Sequence, residues 1–172
     1  DYRVKIYKTE RYDKINSAFA YGGIDLTAAT IEENFGIPIH YYSIINFKGF
    51  QDLVGALGGI DIDVEKDISF SDRITGTTFK LSEGTQTLSG IEALNYSRYR
   101  SDGEGDFGRM RRQQQVVGSI AEQTLSFRSV PKLTKIYQAV ENNFKTNVNF
   151  TDITLLALKL RSMGSEGIEV IP

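Results

Sequence analysis

The sequence predicts a layered α/β or α+β domain, and three observations carry that prediction. Helical and strand patterns alternate along the 172 residues, as they do when helices pack on a sheet. Apolar residues make up 40% and charged residues 24% of the chain, the balance of a protein that buries an ordinary core. The 16 glycines stand against 3 prolines, so tight turns separate the elements and no low-complexity or repeated segment interrupts them. The length suits one domain, and residues 1–172 read as a single one.

The elements follow in order. Residues 24–35 carry Ile24, Ala28, Ile31 and Phe35 at helical spacing, with Gly36 as the stop. Tyr41 to Ile45 reads as a short buried strand, and Asn46 to Leu57 as a helix closed by Gly58-Gly59. Ile60, Ile62 and Val64 then alternate with Asp61, Asp63 and Glu65, the period of a half-buried strand. Together these form an expected β-α-β unit. Residues 66–76 read as an exposed loop, Thr77 to Leu81 as a strand, Ser82 to Gly84 as a turn, and 89–96 as a short helix with a polar entry. A long helix is expected from Phe107 to about Leu125. Another opens at Pro131 with Leu133, Ile136, Tyr137, Val140 and Phe144 on one face, since proline costs nothing extra in a first turn. Thr151 caps a last helix to about Met163, and Ile168 to Ile171 is a final strand.

Charge and composition exclude several functions. The formal net charge is −2 and the pI about 5.5, which argues against a general nucleic-acid binder. There are no cysteines, hence no disulfide and no thiolate chemistry. One histidine, His40, makes a His-rich metal site or a Ser-His triad improbable, and it reads as a packed or surface side chain. Asp61, Asp63 and Asp67 suggest a metal cluster at first sight but fit better as the solvent side of a strand. The glycine pairs lack the order of a nucleotide-binding fingerprint. No stretch reaches the roughly 20 apolar residues of a membrane span, and the chain opens on Asp1 without methionine, which reads as a truncated start.

The chemistry-bearing stretch is Tyr96-Ser-Arg-Tyr-Arg100 followed by Gly105-Asp-Phe-Gly-Arg-Met-Arg-Arg112. It places Arg98, Arg100, Arg109, Arg111 and Arg112 within 15 residues. If 96–100 is extended, Arg98 and Arg100 share a side; Arg109 and Arg112 share a helix face. Asp106 is a natural N-cap for that helix, so the arginines fall where the helix dipole is already positive. Cations there cost about 0.3–1 kcal/mol each, a cost that a bound phosphate would reverse. Two readings remain open at this point: an anion grip, or a solvated basic face paired with Asp102, Glu104 and Asp106. A second polar stretch, Asp13-Lys-Ile-Asn16 ahead of Gly22-Gly23, offers Lys14 to a phosphate and Asn16 to a loop, or is simply a turn before a helix.

KINSAFAYGG, then GIPIHYYSIINFKGFQDLVGALGGIDIDV, then LSGIEALNYSRYRSDGEGDFGRMRRQQQVV resembles the LytR-CpsA-Psr family in order and spacing over nearly the whole chain. The resemblance implies an α/β sandwich with a central mixed sheet flanked by helices, an apolar groove for a polyprenyl chain, and loss of the family's first strand or strands. It implies transfer of a teichoic acid, capsule or similar glycopolymer from an undecaprenyl-pyrophosphate carrier to peptidoglycan, assisted by Mg²⁺. It implies a domain on the outer face of a bacterial cytoplasmic membrane, anchored to membrane lipid by an N-terminal helix, with no nucleic-acid partner. By position, Arg98, Arg100, Arg109 and Arg112 match the pyrophosphate-binding arginines and Lys14 a weaker contact. Asp1 matches an acid near the metal; Asp1 or Asp106 is the candidate base, Asp1 being preferred because Asp106 already serves as the helix cap, with Arg98 and Arg109 acting beside it in catalysis. A further aspartate motif that the family carries upstream is absent from this chain. A hydrolase of the same lipid pyrophosphate and a non-catalytic regulator are the competing readings.

Overall fold

The computed structural model describes residues 3–71, 78–125, 136, 141–149 and 152. The architecture is mixed α/β: β1 (Arg3–Lys5), β2 (Tyr12–Lys14), α1 (Ser17–Phe35), β3 (Ser43–Ile45), α2 (Phe47–Leu57), β4 (Ile60–Val64), β5 (Ile68–Ser71), β6 (Thr78–Leu81), β7 (Gly84–Leu88), α3 (Gly90–Arg98), α4 (Gly105–Leu125) and β8 (Phe144–Thr146), the last preceded by a 3₁₀ turn at Glu141–Asn143. The chain forms two compact units, Asp1–Ile44 with Thr146–Asn149, and Ile45–Lys145 with Phe150–Pro172.

In the first unit β1 and β2 pair antiparallel, Arg3 opposite Lys14 and Lys5 opposite Tyr12. Val4, Ile6 and Ala18 form a small core with Ile15 and Leu26 against it. The sequence predicts only the 24–35 part of α1. The observed helix starts at Ser17 and breaks at Gly22 and Gly23, where Gly23 takes φ +64°. Gly36 ends it in the left-handed region and its N–H donates to the Glu32 carbonyl, the stop that glycine allows without a Cβ penalty. Buried Thr30 accepts from the Tyr7 amide at 3.2 Å, which ties the helix to the hairpin. His40 is exposed, and its carbonyl accepts from Asn147 Nδ2.

In the second unit α2 opens on an Asn46 cap whose side chain accepts from the Gly49 amide, and Gly58 closes it at φ +89°. Strand β4 alternates as expected: Ile60, Ile62 and Val64 are buried while Asp61 and Asp63 are exposed. Those two aspartates accept hydrogen bonds from Thr87 and Thr85 on the facing strand. Helix α3 starts at a capping box, Ser89 with Glu92, which satisfies amides that the first turn leaves unpaired. One contiguous core joins Val54, Ile60, Ile62, Val64, Ile68, Phe79, Leu81, Leu88, Ala93, Tyr96, Tyr99 and Val116. Each large aliphatic side chain buried there contributes about 1.5–3 kcal/mol.

Four expectations need correction. β4 pairs antiparallel with β7, Ile60 opposite Leu88 and Val64 opposite Gly84, so it is not the partner of β3 in a β-α-β pair. Residues 84–88 form that strand, where the expected turn ends at Gly84 and no element is expected over 85–88. Residues 68–71 form β5, paired with β6, inside the expected loop. Phe144 begins β8 and is not the end of a helix. The expected helices from Pro131 and Thr151 and the strand at 168–171 lie outside the described residues, apart from helical Ile136 and Asp152.

Candidate functional site

The arginine-rich stretch straddles the end of α3 and the start of α4. Arg98 is the last residue of α3, so 96–100 is not the extended segment that would put Arg98 and Arg100 on one side. The chain turns extended at Tyr99, with φ −61° and ψ 133°, and carries Arg100 beyond it. Arg98 lies over the Phe47 ring, 4.8 Å from its centroid, and among the described residues it has no ion-pair partner. Arg100 and Arg109 both pair with Asp106, the second at 3.0 Å. Asp106 therefore bridges two guanidinium groups from the first turn of α4; the helix begins at Gly105, one residue before the position predicted for the cap. Among the described residues the buried Arg109 Nε–H has no acceptor, a costly state for a donor. Arg111 pairs with Glu104 at 2.6 Å. The pairing of arginines with Glu104 and Asp106 is the one that the solvated-face reading predicts.

Arg112, expected beside the other arginines on a pyrophosphate, is instead entirely buried. Its Nε donates to Glu65 Oε1 at 2.7 Å and its Nη1 to the Tyr99 carbonyl at 3.1 Å. Its Nη2 donates to Asp102, and its plane lies 5.0 Å from the Tyr99 ring centroid. The physical reason is the need of a buried guanidinium for several acceptors at once, which only the interior of this fold supplies. Asp102 also pairs with Lys66 at 3.2 Å. The Tyr96 hydroxyl lies 2.7 Å from Glu65 Oε2 and 2.7 Å from Gln115 Oε1. Burial pushes the Glu65 carboxyl up, but the hydrogen bonds from Tyr96 and Arg112 outweigh it and hold Glu65 below its ordinary value. Asp102 is likewise lowered, burial being overcome by Arg112 and Lys66. Burial, then Glu65, pushes the Tyr96 phenol well above its ordinary range.

Beside Arg98 runs an open groove of about 840 Å³. Phe47, Phe70, Phe79, Ile91 and Leu94 give it apolar walls, and Arg98 and Lys80 line it too. Phe47 and Ile91 are more than half exposed at 60% and 53%, so apolar surface faces solvent next to a cation. Lys14 is exposed on β2 in the first unit. Its neighbour Asp13 accepts from the Tyr21 hydroxyl at 2.6 Å, a bond that lowers the Asp13 pKa. Asp1 lies outside the described residues, and among the described residues no group of three or more acids and histidines is placed to hold a metal.

The LytR_cpsA_psr family model matches residues 1–172. The chain belongs to the LytR-CpsA-Psr family. Among its relatives, the regulatory protein MsrR of Staphylococcus aureus (strain COL) is 37% identical over 158 residues, covering 91% of this chain and 47% of MsrR. The polyisoprenyl-teichoic acid–peptidoglycan teichoic acid transferase TagU of Enterococcus faecalis is 40% identical over 153 residues, covering 88% of this chain and 48% of TagU. The crystal structure of Bacillus subtilis TagV superposes with a TM-score of 0.84 at 33% identity, over 98% of this chain and 65% of that one. The chain spans about half the length of the curated relatives it matches.

Within this LytR-CpsA-Psr domain, the tertiary structure adds residues that sequence reasoning missed. Glu65 reads as one more solvent-facing acid after Asp61 and Asp63, yet it is the partner of the buried Arg112. Its signal was its place one residue past the end of β4, where alternation no longer dictates the side. The groove residues Phe47, Phe70 and Phe79 come from three separate elements, and nothing local marks them as one surface.

Proposed function

We propose that this domain transfers a glycopolymer, such as a teichoic acid or capsule, from a polyprenyl-pyrophosphate carrier to peptidoglycan. One observation carries the reading: an apolar groove with Arg98 in its wall, continuous along the chain with Arg100 and linked by Asp106 to Arg109. That juxtaposition suits an amphiphile with a long apolar tail and a multiply charged head. Guanidinium forks match phosphate oxygens, and an anion between Arg100 and Arg109 would replace Asp106 and supply the acceptor that Arg109 Nε lacks. The name of the TagU relative, a polyisoprenyl-teichoic acid–peptidoglycan teichoic acid transferase, supports the same substrate class.

In the proposed reaction a peptidoglycan hydroxyl attacks the polymer-side phosphorus. A P–O bond forms there, the P–O bond to the lipid phosphate breaks, and the hydroxyl proton passes to a base. Arg98, Arg100 and Arg109 stabilise the charge that grows on the leaving phosphate. Mg²⁺ would add a Lewis acid at the same pyrophosphate. Asp106 is a poor seat for it, being already shared by two guanidinium groups, and Asp1 would take the metal or the base role. Lys14 is proposed as a weaker phosphate contact. An extracytoplasmic position at a membrane goes with this reading; among the described residues no helix is long and apolar enough to cross one.

The test is a transfer assay with lipid-linked polymer and purified peptidoglycan. Polymer joined to peptidoglycan is expected, and Arg98→Ala should reduce it at least about 100-fold, as loss of a transition-state donor does, with an unchanged circular dichroism spectrum. Free polymer as the only product would replace the reading with a hydrolase. Full transfer by Arg98→Ala would remove Arg98 from the site.

A further inference from the structure

The geometry points to Arg112 as a positioning residue, which from inside the protein sets where Arg98 and Arg100 leave the chain. The inference rests on the reading of those arginines as the pyrophosphate grip. Stability alone does not call for a buried guanidinium, since apolar replacements of buried ion pairs are often neutral or stabilising. What Arg112 does that an apolar residue cannot is hold several acceptors in one rigid plane. Nη1 holds the Tyr99 carbonyl at 3.1 Å, Nη2 holds Asp102, and Nε is fixed on Glu65 at 2.7 Å.

Tyr99 lies between Arg98 and Arg100 in the chain, and Asp102 follows two residues after Arg100. The segment that carries both cations is thus pinned at two points by one side chain. The Tyr99 ring beneath the guanidinium, 5.0 Å to its centroid, fixes the residue's side chain as well as its carbonyl. Glu65 comes from the end of β4 and is steadied in turn by the Tyr96 hydroxyl at 2.7 Å, so the frame is anchored in the core. Arg109 sits one turn before Arg112 on the same helix. Gly108 completes the fit: a Cβ there would lie 3.3 Å from both Nη1 and Nη2 and 2.9 Å from Glu104 Cβ, so the guanidinium occupies space that any larger residue would contest. Lysine keeps the charge but has one head on a flexible stem, and it cannot reproduce three directed bonds.

The experiment uses the whole chain and two probes, inorganic pyrophosphate and the short uncharged polyprenol farnesol, measured by calorimetry on wild type, Arg98→Ala and Arg112→Lys. Wild type should bind pyrophosphate and Arg98→Ala should lose it. Arg112→Lys should keep its fold and its farnesol affinity while binding pyrophosphate at least about tenfold more weakly, the effect typical of losing an orienting partner. A general structural defect would weaken both probes together. Wild-type pyrophosphate affinity in folded Arg112→Lys, or an equal loss of both probes, would overturn the positioning role. If Arg112→Lys does not fold, Glu65→Gln is measured in its place against the same outcomes. Failure of wild type to bind pyrophosphate, or undiminished binding by Arg98→Ala, would overturn the pyrophosphate reading itself, and this inference with it.

Discussion

Replacing Arg112 by methionine isolates what the buried frame contributes to stability. Methionine roughly fills the volume but removes the donors to Glu65, Asp102 and the Tyr99 carbonyl. Asp102 is then left with its side chain 5% exposed and Lys66 at 3.2 Å as its remaining cation. Glu65 keeps the Tyr96 hydroxyl and the longer contact to Arg111 at 3.4 Å. Removing one member of a buried ion pair costs about 3–5 kcal/mol, and the retained partners place this case near about 3 kcal/mol. For a chain of this size that lowers Tm by about 6–12 °C. The pH dependence has a definite sign. Both carboxyls are lowered in the folded protein from ordinary values of 4.5 and 3.8. Their contribution is therefore fully present above those values and lost as pH falls through the folded ones. The gap between wild type and Arg112→Met should be largest at neutral pH and narrow on acidification through the carboxylate range. Thermal unfolding of both proteins between about pH 7 and pH 2, a range that runs below both ordinary carboxylate values, measures it. A Tm change below about 2 °C at neutral pH, where the frame predicts several times that, or a gap that does not narrow, would refute the reasoning.

Two further perturbations test the packing around the site. Gly90→Ala puts a Cβ 2.4 Å from the Gln51 carbonyl oxygen and 2.8 Å from its Cα, so α2 and α3 must separate; overpacking of this kind costs about 1–3 kcal/mol or more, and unaltered urea unfolding would show that the two helices yield freely. Tyr96→Phe takes the phenol from half-buried Glu65 and should cost about 1–3 kcal/mol, read as a shifted denaturation midpoint at constant slope; a midpoint equal to wild type would mean that solvent or Arg111 replaces the hydroxyl.

Local chemistry was legible wherever one stretch of chain contains its own reason. Asn46 and Gly58 bracket α2 because an amide oxygen caps amides three residues on and a glycine alone takes φ +89° freely. The alternation at 60–64 is a strand because its buried face is already apolar. β7 was not legible: Gly84–Leu88 is mostly polar, buries only Leu88, and is a strand because β4 offers it hydrogen bonds. The two units were likewise not marked by any composition shift.

The sequence by itself determined the α/β pattern, the family resemblance and the presence of arginines in a short run. It could not assign them, because a guanidinium is equally at home on a phosphate, a surface acid or a buried carboxylate. The tertiary structure decided. Arg112 is buried because Glu65, 47 residues away, and Asp102 arrive at its donors. Arg98 is left beside an aromatic groove because Phe47 and Phe79 reach the same wall. Local periodicity reports which side of an element is apolar; which acceptor meets which donor depends on contacts between segments far apart in the chain.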